Sequence, residues 1–346
     1  MRHVHIRFEQ LPAPLRRVWR YAGPALATRA AVRRWALASV IANAVVICTG
    51  AAVRLSSSGL GCPDWPRCSQ TSALAGHTVG QTTLNTWIEQ GNRLLNGPLS
   101  VIVGLTFIAC LIYKENGRRR RDLVWLSALL PLGVIAQAVL GGITVLTDLN
   151  PFMVSSHFLV SALILLPAAV VLHVRVAEGS GPARSLVRTD LRVMAAVLAG
   201  ATALMLAAGT VVTGTGPLTG TATDSHGRVV HVPRFPFTLE SVTQFHADIA
   251  WFLTALAVAL VIGTRFADGT PRATVRGSRI VVGWIVAQGV IGYVQYFNHL
   301  PAGLVWVHVA SSMGLWISVM RLYLSTRERL GSDAPDLAAE TLTAAS

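Results

Sequence analysis

The chain has 346 residues, of which 52% are hydrophobic and 13% charged, and its formal net charge is +13. Because soluble domains carry about 25% charged residues, this composition excludes an ordinary soluble protein and indicates that lipid surrounds much of the chain. Nucleic-acid binding is excluded as the reason for the positive charge, since most basic residues lie on one side of the predicted membrane spans.

Eight apolar runs are long enough to cross the hydrocarbon core, which takes roughly 20 mostly apolar residues. In chain order they cover residues 36–55, 93–113, 123–146, 154–175, 191–213, 244–264, 279–298 and 302–323. Residues such as Pro131 and Gly141 lie inside these runs, and helices tolerate them in a bilayer where neighbouring helices pack closely. The predicted fold class is an all-α integral membrane protein with eight transmembrane helices.

The basic residues are divided unequally between the two sides of the predicted spans. Segments on the side of the N-terminus hold 24 of the 29 Lys and Arg residues, and the opposite side holds Arg54, Arg67, Arg93, Arg228 and Arg234. The positive-inside rule therefore places both termini in the cytoplasm. Segments 1–35 and 326–346 lack a sustained apolar pattern and are predicted to be flexible cytoplasmic ends, without a cleavable signal peptide.

Two of the four cysteines lie in the loop after the first span. Cys62 and Cys68 enclose five residues, two of them proline. An outward-facing loop permits a disulfide, and such a segment can close a small ring. Metal binding is the weaker alternative, because His77 is the only nearby supplementary ligand. Cys48 and Cys110 lie inside spans and are interpreted as apolar packing residues.

Four polar residues stand near the outer start of the even-numbered spans, at about the same depth given a rise of about 1.5 Å per residue: Asn92, His157, His246 and His308. One histidine in a membrane helix is commonly just a hydrogen-bonding residue of the bundle. Two at equivalent positions of one half point instead to a haem iron bound between His246 and His308. Zinc is disfavoured, because no third or fourth ligand is visible beside this pair.

An internal repeat supports the view that these four residues stand at equivalent positions of the two halves. Residues 136–141 read Ala-Gln-Ala-Val-Leu-Gly and residues 287–292 read Ala-Gln-Gly-Val-Ile-Gly, at an offset of 151 that also places His157 on His308. Two pseudo-symmetric four-helix bundles, 36–180 and 181–325, are therefore predicted. Each half has an even number of spans, so the bundles should be related by an axis along the membrane normal.

Glu89 and Arg93 are the other unusual residues, since charged groups at membrane depth usually mark function. Glu89 precedes Asn92 by three residues, so the two are predicted to share a helical face. Arg93 could hold an anionic group such as a haem propionate. The alternative is an ordinary Glu–Arg pair at the i, i+4 spacing.

These features resemble the haem A synthase family over about residues 36–325. The segment Gly50-Ala-Ala-Val-Arg-Leu-Ser-Ser-Ser-Gly-Leu-Gly-Cys-Pro-Asp-Trp-Pro-Arg-Cys68 resembles the family's first outer loop, and Gly214-Thr-Gly-Pro217 resembles a later one. Glu89-x-x-Asn92-Arg93 is similar to its Glu-x-x-His-Arg motif. His157, His246 and His308 fall where the family carries its other histidines.

The resemblance implies an oxidoreductase that converts haem O to haem A for terminal oxidase assembly, by oxidising the C8 methyl group to a formyl group. The C-terminal bundle would hold haem b, with its iron on His246 and His308. The implied partners are the haem O substrate, haem O synthase (the protohaem farnesyltransferase) and a membrane electron donor such as quinol. The implied location is the cell (plasma) membrane, with the haem sites near the outer face.

The resemblance also assigns residues of the N-terminal bundle. Haem O would be bound by His157, Asn92 and Arg93, with Glu89 as the catalytic residue. Cys62 and Cys68 would form a disulfide on the substrate side. The loop between spans five and six lacks the second cysteine pair of some relatives, so no disulfide is expected there.

Asn92 departs from the family motif, because it stands where the family has histidine. An amide is a poor iron ligand, so the substrate is expected to be bound by His157 alone or with a weak or water ligand opposite. Such an open coordination position would suit oxidation chemistry better than two histidines.

Two other functions fit parts of the sequence. A di-haem membrane cytochrome b would use bis-histidine sites for electron transfer, but it does not explain why only one half has two histidines. A transporter built from repeats would place its polar site near the membrane midplane, whereas the polar residues here lie near the outer face.

Overall fold

The computed structural model describes residues 23–69, 82–219, 221–223 and 229–330. Most of the two predicted cytoplasmic ends lies outside these ranges, as does His77. Within them, ten α-helices form the fold: α1 Arg29–Leu55, α2 Thr83–Leu94, α3 Asn96–Ile112, α4 Arg121–Leu146, α5 Pro151–Val160, α6 Leu166–Ala177, α7 Thr189–Thr215, α8 Leu239–Phe266, α9 Arg272–Phe297 and α10 Ala302–Ser325.

These helices make up eight segments long and apolar enough to cross a membrane. The second span joins α2 to α3, and the fourth joins α5 to α6 through a π-helical turn, Ser161–Leu165. The prediction of an all-α protein with eight transmembrane helices is therefore confirmed. The π-helical turn was not predicted, because no sequence periodicity distinguishes one wide turn within an apolar run.

Several helices start earlier than the apolar runs indicated. The second span begins at Thr83 rather than at 93, and the hydroxyl oxygen of Thr82 accepts a hydrogen bond from the Asn85 amide. The first two turns of α2 carry polar residues that protein covers, so a search for apolar residues misses them. The first span begins at Arg29, with Thr28 as its N-cap. Residues 29–35 are thus helical, which corrects their assignment to a flexible end.

Helix contacts follow the same order in both halves of the chain. Each of spans one to four contacts the next and span four contacts span one, and spans five to eight repeat this arrangement. Between the halves, span eight packs on spans one and four, and α5 packs on α7. This order supports the predicted bundles 36–180 and 181–325, whose boundaries and symmetry remain predictions.

Short antiparallel strand pairs connect the helix ends: β1 Lys114–Glu115 with β2 Arg118–Arg119, β3 Ala183–Ser185 with β6 Arg327–Arg329, and β4 Thr221–Thr223 with β5 Val229–His231. The pair β3–β6 joins the linker between the two halves to the segment after the last helix. The backbone N–H of Gly181 also donates to the Leu330 carbonyl at 3.0 Å. Residues 326–330 therefore belong to the folded body, which corrects their assignment to a flexible tail.

A buried ion network lies at the same end of the helices. Arg120 pairs with Glu115 and Asp122, and Arg175 pairs with Asp122 and Glu178. Burial alone would lower the pKa of Arg120, but its contacts with Asp122 and Glu115 raise it above the usual value. Both arginines are therefore neutralised by carboxylates and fix the ends of spans three and four.

Candidate functional site

His246 and His308 face each other within the C-terminal half. Their ring centroids are 6.4 Å apart, and their ring planes are inclined by 60°. Metal–imidazole bonds are about 2 Å long and a ring nitrogen lies about 1 Å from its centroid, so two imidazoles on opposite sides of one metal have centroids about 6 Å apart. The observed separation therefore leaves room for a single metal ion between the rings.

Each of these imidazoles lies against a glycine of the preceding span. A Cβ atom added at Gly209 would lie 3.4 Å from Cε1 of His246, and one added at Gly292 would lie 3.6 Å from Cε1 of His308. Longer side chains at either glycine would push the ring from its position. The two glycines thus set how closely each histidine approaches the neighbouring helix.

The N-terminal half repeats this arrangement with one change of residue. A Cβ atom at Gly141 would lie 3.3 Å from Cε1 of His157, and one at Gly50 would lie 3.9 Å from Nδ2 of Asn92. The Asn92 amide oxygen accepts a hydrogen bond from the Thr49 hydroxyl at 2.7 Å. Asn92 thus occupies the position that His246 has in the other half, with its amide oxygen already engaged.

The donor set suits haem better than an ion held by protein ligands alone. Nδ1 of His157, His246 and His308 is buried without a hydrogen-bond partner, a state that costs roughly 1–3 kcal/mol per group. In the parts of the chain that the structure describes, no three or more His, Cys, Asp or Glu residues form a cluster able to hold a metal. Two facing imidazoles suit a haem iron, because the porphyrin supplies four further nitrogens.

Two glutamines fix the turns that carry His157 and His308. Nε2 of Gln137 donates to the His157 carbonyl at 2.8 Å, and Nε2 of Gln288 donates to the His308 carbonyl at 3.2 Å. A carbonyl only accepts, so the orientation of each amide is determined. The repeat had aligned these glutamines, but periodicity gave no indication that they bind histidine backbones.

The predicted disulfide between Cys62 and Cys68 is present, and Glu89 supports its loop. Glu89 is 4% exposed, and its Oε2 accepts a hydrogen bond from the Cys62 amide at 2.7 Å. Nε of Arg93 donates to Oε1 of Glu89 at 3.0 Å. The i, i+4 pair is therefore real but buried. The carboxylate lies against the disulfide loop, whereas the sequence had placed it beside Asn92.

Arg93 binds the same loop through its remaining donors. Nη1 donates to the carbonyls of Asp64 and Arg67 at 2.9 and 3.2 Å, and Nη2 donates to the carbonyl of Cys62 at 2.8 Å. A second bond from Nη2 to Glu89 completes five donations, which is the full capacity of a guanidinium. Binding a haem propionate would require some of these contacts to be exchanged.

The loop held in this way lies next to the His157 position. A Cβ atom at Gly142 would come within 2.6 Å of the Trp65 ring, and one at Gly61 would come within 2.6 Å of the Asn85 carbonyl oxygen. Trp65 therefore packs directly on the helix that contacts His157 through Gly141. The disulfide loop therefore packs on the end of the N-terminal half that carries His157.

Comparison with known proteins relates most of the chain to one family. The COX15-CtaA model, described as cytochrome oxidase assembly protein, matches residues 33–320. A protein named Heme A synthase from Geobacillus kaustophilus (strain HTA426) is 32% identical over 123 residues, which are 34% of this chain and 35% of that protein. Another so named, from Lysinibacillus sphaericus (strain C3-41), is 30% identical over 133 residues, 38% of this chain and 41% of the relative. The chain thus aligns with only about two-fifths or less of the length of these relatives.

Proposed function

Since this chain belongs to the COX15-CtaA family of cytochrome oxidase assembly proteins, we propose that it is a haem A synthase, which oxidises the C8 methyl group of haem O to a formyl group. The observation that carries this proposal is the difference between two otherwise matching sites. His246 faces His308 in one half, while Asn92 takes the equivalent position in the half that contains His157.

The C-terminal half is suited to an electron-transfer cofactor. His246 and His308 would hold the iron of haem b, and the bound group would supply one-electron transfer. Gly209 and Gly292 keep the imidazoles close to their neighbouring helices. Gln288 fixes the turn that bears His308, so this half holds both rings in a defined position.

The N-terminal half is suited to the substrate. His157 would hold the iron of haem O, and Asn92 would stand where the C-terminal half has its second histidine. The Asn92 oxygen is bonded to Thr49, so this residue is a weak competitor for iron. The remaining coordination position of the haem O iron would thereby be left to a weak ligand, which oxidation chemistry favours.

Glu89 and Arg93 are proposed to act at the outer edge of this substrate site. Both hold the loop between Cys62 and Cys68, and Trp65 of that loop packs beside the helix that contacts His157. Closing the site against water is one contribution they make. Glu89 remains our candidate for direct catalysis, as a proton acceptor near the methyl group.

The setting proposed for this reaction is the outer leaflet of the cell membrane. Haem O would arrive from haem O synthase, and a membrane donor such as quinol would supply electrons through the C-terminal half. The shared depth of the four site residues, near the starts of the even-numbered spans, supports placing both haems near one face.

The test uses cells that make haem O but lack their own haem A synthase. Extracted haems would be analysed by liquid chromatography and mass spectrometry for the wild type, His157→Ala and His246→Ala. We expect haem A, or its hydroxylated precursor, from the wild type only. The His157→Ala protein should keep the spectrum of haem b, and the His246→Ala protein should lose it.

Two outcomes would overturn the proposal. A red, folded wild-type protein that yields only haem O and haem b would support the di-haem cytochrome b instead. A folded protein that binds no haem would support a transporter.

A further inference from the structure

A pocket lined by arginines opens between the end of the sixth span and the start of the seventh. Its volume is about 530 Å³, and its lining residues, called the arginine pocket below, are Arg265, Arg272, Val275, Arg276, Arg279 and Ile280. It lies at the end of the helices that also holds the buried ion network, the predicted cytoplasmic side and the end opposite the histidines.

The four guanidinium groups of this pocket have no carboxylate partner among the described residues. Arg120 and Arg175 at the same end are each paired with two carboxylates, but the pocket arginines form no salt bridge in the described parts of the chain. Asp268, in the turn between the two helices, is the nearest acidic residue in sequence. The pocket therefore has a net positive charge.

The positive-inside rule explains why arginines lie on this side, but not why four of them line one cavity. Arg272, Arg276 and Arg279 follow the i, i+4, i+7 spacing of one helical face. The rise from Arg272 to Arg279 is about 10 Å, comparable with the headgroup layer of about 5–8 Å on each side of a bilayer. The charges are thus distributed over the depth at which lipid phosphates lie.

The wall of the pocket combines arginines with apolar side chains. Val275 and Ile280 line it together with the arginines, and Ile280 is 43% exposed. Guanidinium groups bind phosphate oxygens bidentately, and basic pockets between transmembrane helices on the cytoplasmic side suit anionic headgroups. We propose that the arginine pocket binds the phosphate headgroup of an anionic phospholipid, with Val275 and Ile280 against the start of its acyl chains.

The test is native mass spectrometry of the purified full chain, released from detergent with defined lipids. The probes are cardiolipin, phosphatidylglycerol, phosphatidylcholine and inorganic pyrophosphate, compared for the wild type and Arg276→Gln/Arg279→Gln. The matched control is Arg118→Gln/Arg119→Gln, because both residues are exposed arginines at the same end of the molecule and outside the pocket.

We expect the wild type and the control to retain anionic lipid in preference to phosphatidylcholine, and the pocket variant to lose about tenfold or more of that retention. Equal loss in the control would overturn the proposal, because general surface charge would then explain binding. Displacement of lipid by an equal concentration of pyrophosphate would assign the pocket to a soluble anion. If the double variant does not fold, Arg276→Lys/Arg279→Lys keeps the charge, and reduced retention by that variant would support guanidinium-specific binding.

Discussion

Replacing Glu89 with Gln should loosen the disulfide loop. The carboxylate binds Arg93 and the Cys62 amide, and removing one partner of a buried ion pair costs about 3–5 kcal/mol. The Arg93 side chain is 20% exposed, so water recovers part of that loss, and about 2 kcal/mol is a reasonable cost for the loop. That free energy corresponds to a roughly 30-fold increase in the open population.

The rate of disulfide reduction reports this opening directly. Cys62 and Cys68 are 0% and 1% exposed, so a reductant reaches them only when the loop opens, and the rate follows the open population when closing is fast. Purified protein would be treated with a mild phosphine, quenched by alkylation and analysed by mass spectrometry. Glu178→Gln is the matched control, because Glu178 pairs with Arg175 at the opposite end.

Reduction of Glu89→Gln at the wild-type rate would refute the role of this carboxylate in holding the loop. The same variant separates the two roles proposed for Glu89. If haem A formation fails while the reduction rate is unchanged, the carboxylate acts on the substrate itself. If both change together, its contribution passes through the loop.

Three further predictions concern the haem positions. Gly292→Leu should abolish low-spin haem absorption because the leucine side chain intrudes on His308. The control Gly289→Leu should retain this absorption, because a Cβ added at Gly289 meets nothing within 4 Å, and equal absorption by both variants would contradict the role of the glycine contact. Gln288→Leu removes the hydrogen-bond donor to the His308 carbonyl at a cost of about 1 kcal/mol. Haem should therefore dissociate several-fold faster from this variant in a transfer assay to apomyoglobin, whereas the control Gln244→Leu, at an exposed position, should keep the wild-type rate. Asn92→His should convert the substrate-loaded half to a low-spin spectrum and lower its turnover, and undiminished activity with that spectrum would show that no open position is needed.

The sequence predicted the eight spans because each needs only a long apolar run, a property that is local in the chain. It predicted that His246 and His308 face each other, because the repeat and the starts of their spans place both at about the same depth. It placed the start of the second span ten residues late, since the polar face of α2 is covered by an irregular loop. Contacts of such a loop depend on residues distant in the chain and follow no period.

The same distinction applies to the site residues. The alignment of Gly141 with Gly292 was visible in the repeat, but Gly141 was considered only as a residue that helices tolerate. The contact of each glycine with the histidine ring of the following span is a tertiary relation, which the repeat alone does not show. Glu89 was assigned to the correct helix, but its contact with the disulfide loop was not predicted, because it depends on residues distant in the chain.

The pairing of β3 with β6 has a consequence for synthesis of the chain. Residues 183–185 leave the ribosome long before residues 327–329, and only the later strand supplies their hydrogen-bond partners. The first four spans can therefore enter the bilayer and pack together, but the linker that follows them stays unpaired until residues 327–329 have been translated. A stop codon before residue 327 would remove this strand pair while sparing every transmembrane helix, whereas one after 330 would leave it intact. Pairing of this linker with the segment after the last helix is thus a late step of biogenesis that follows insertion of the spans.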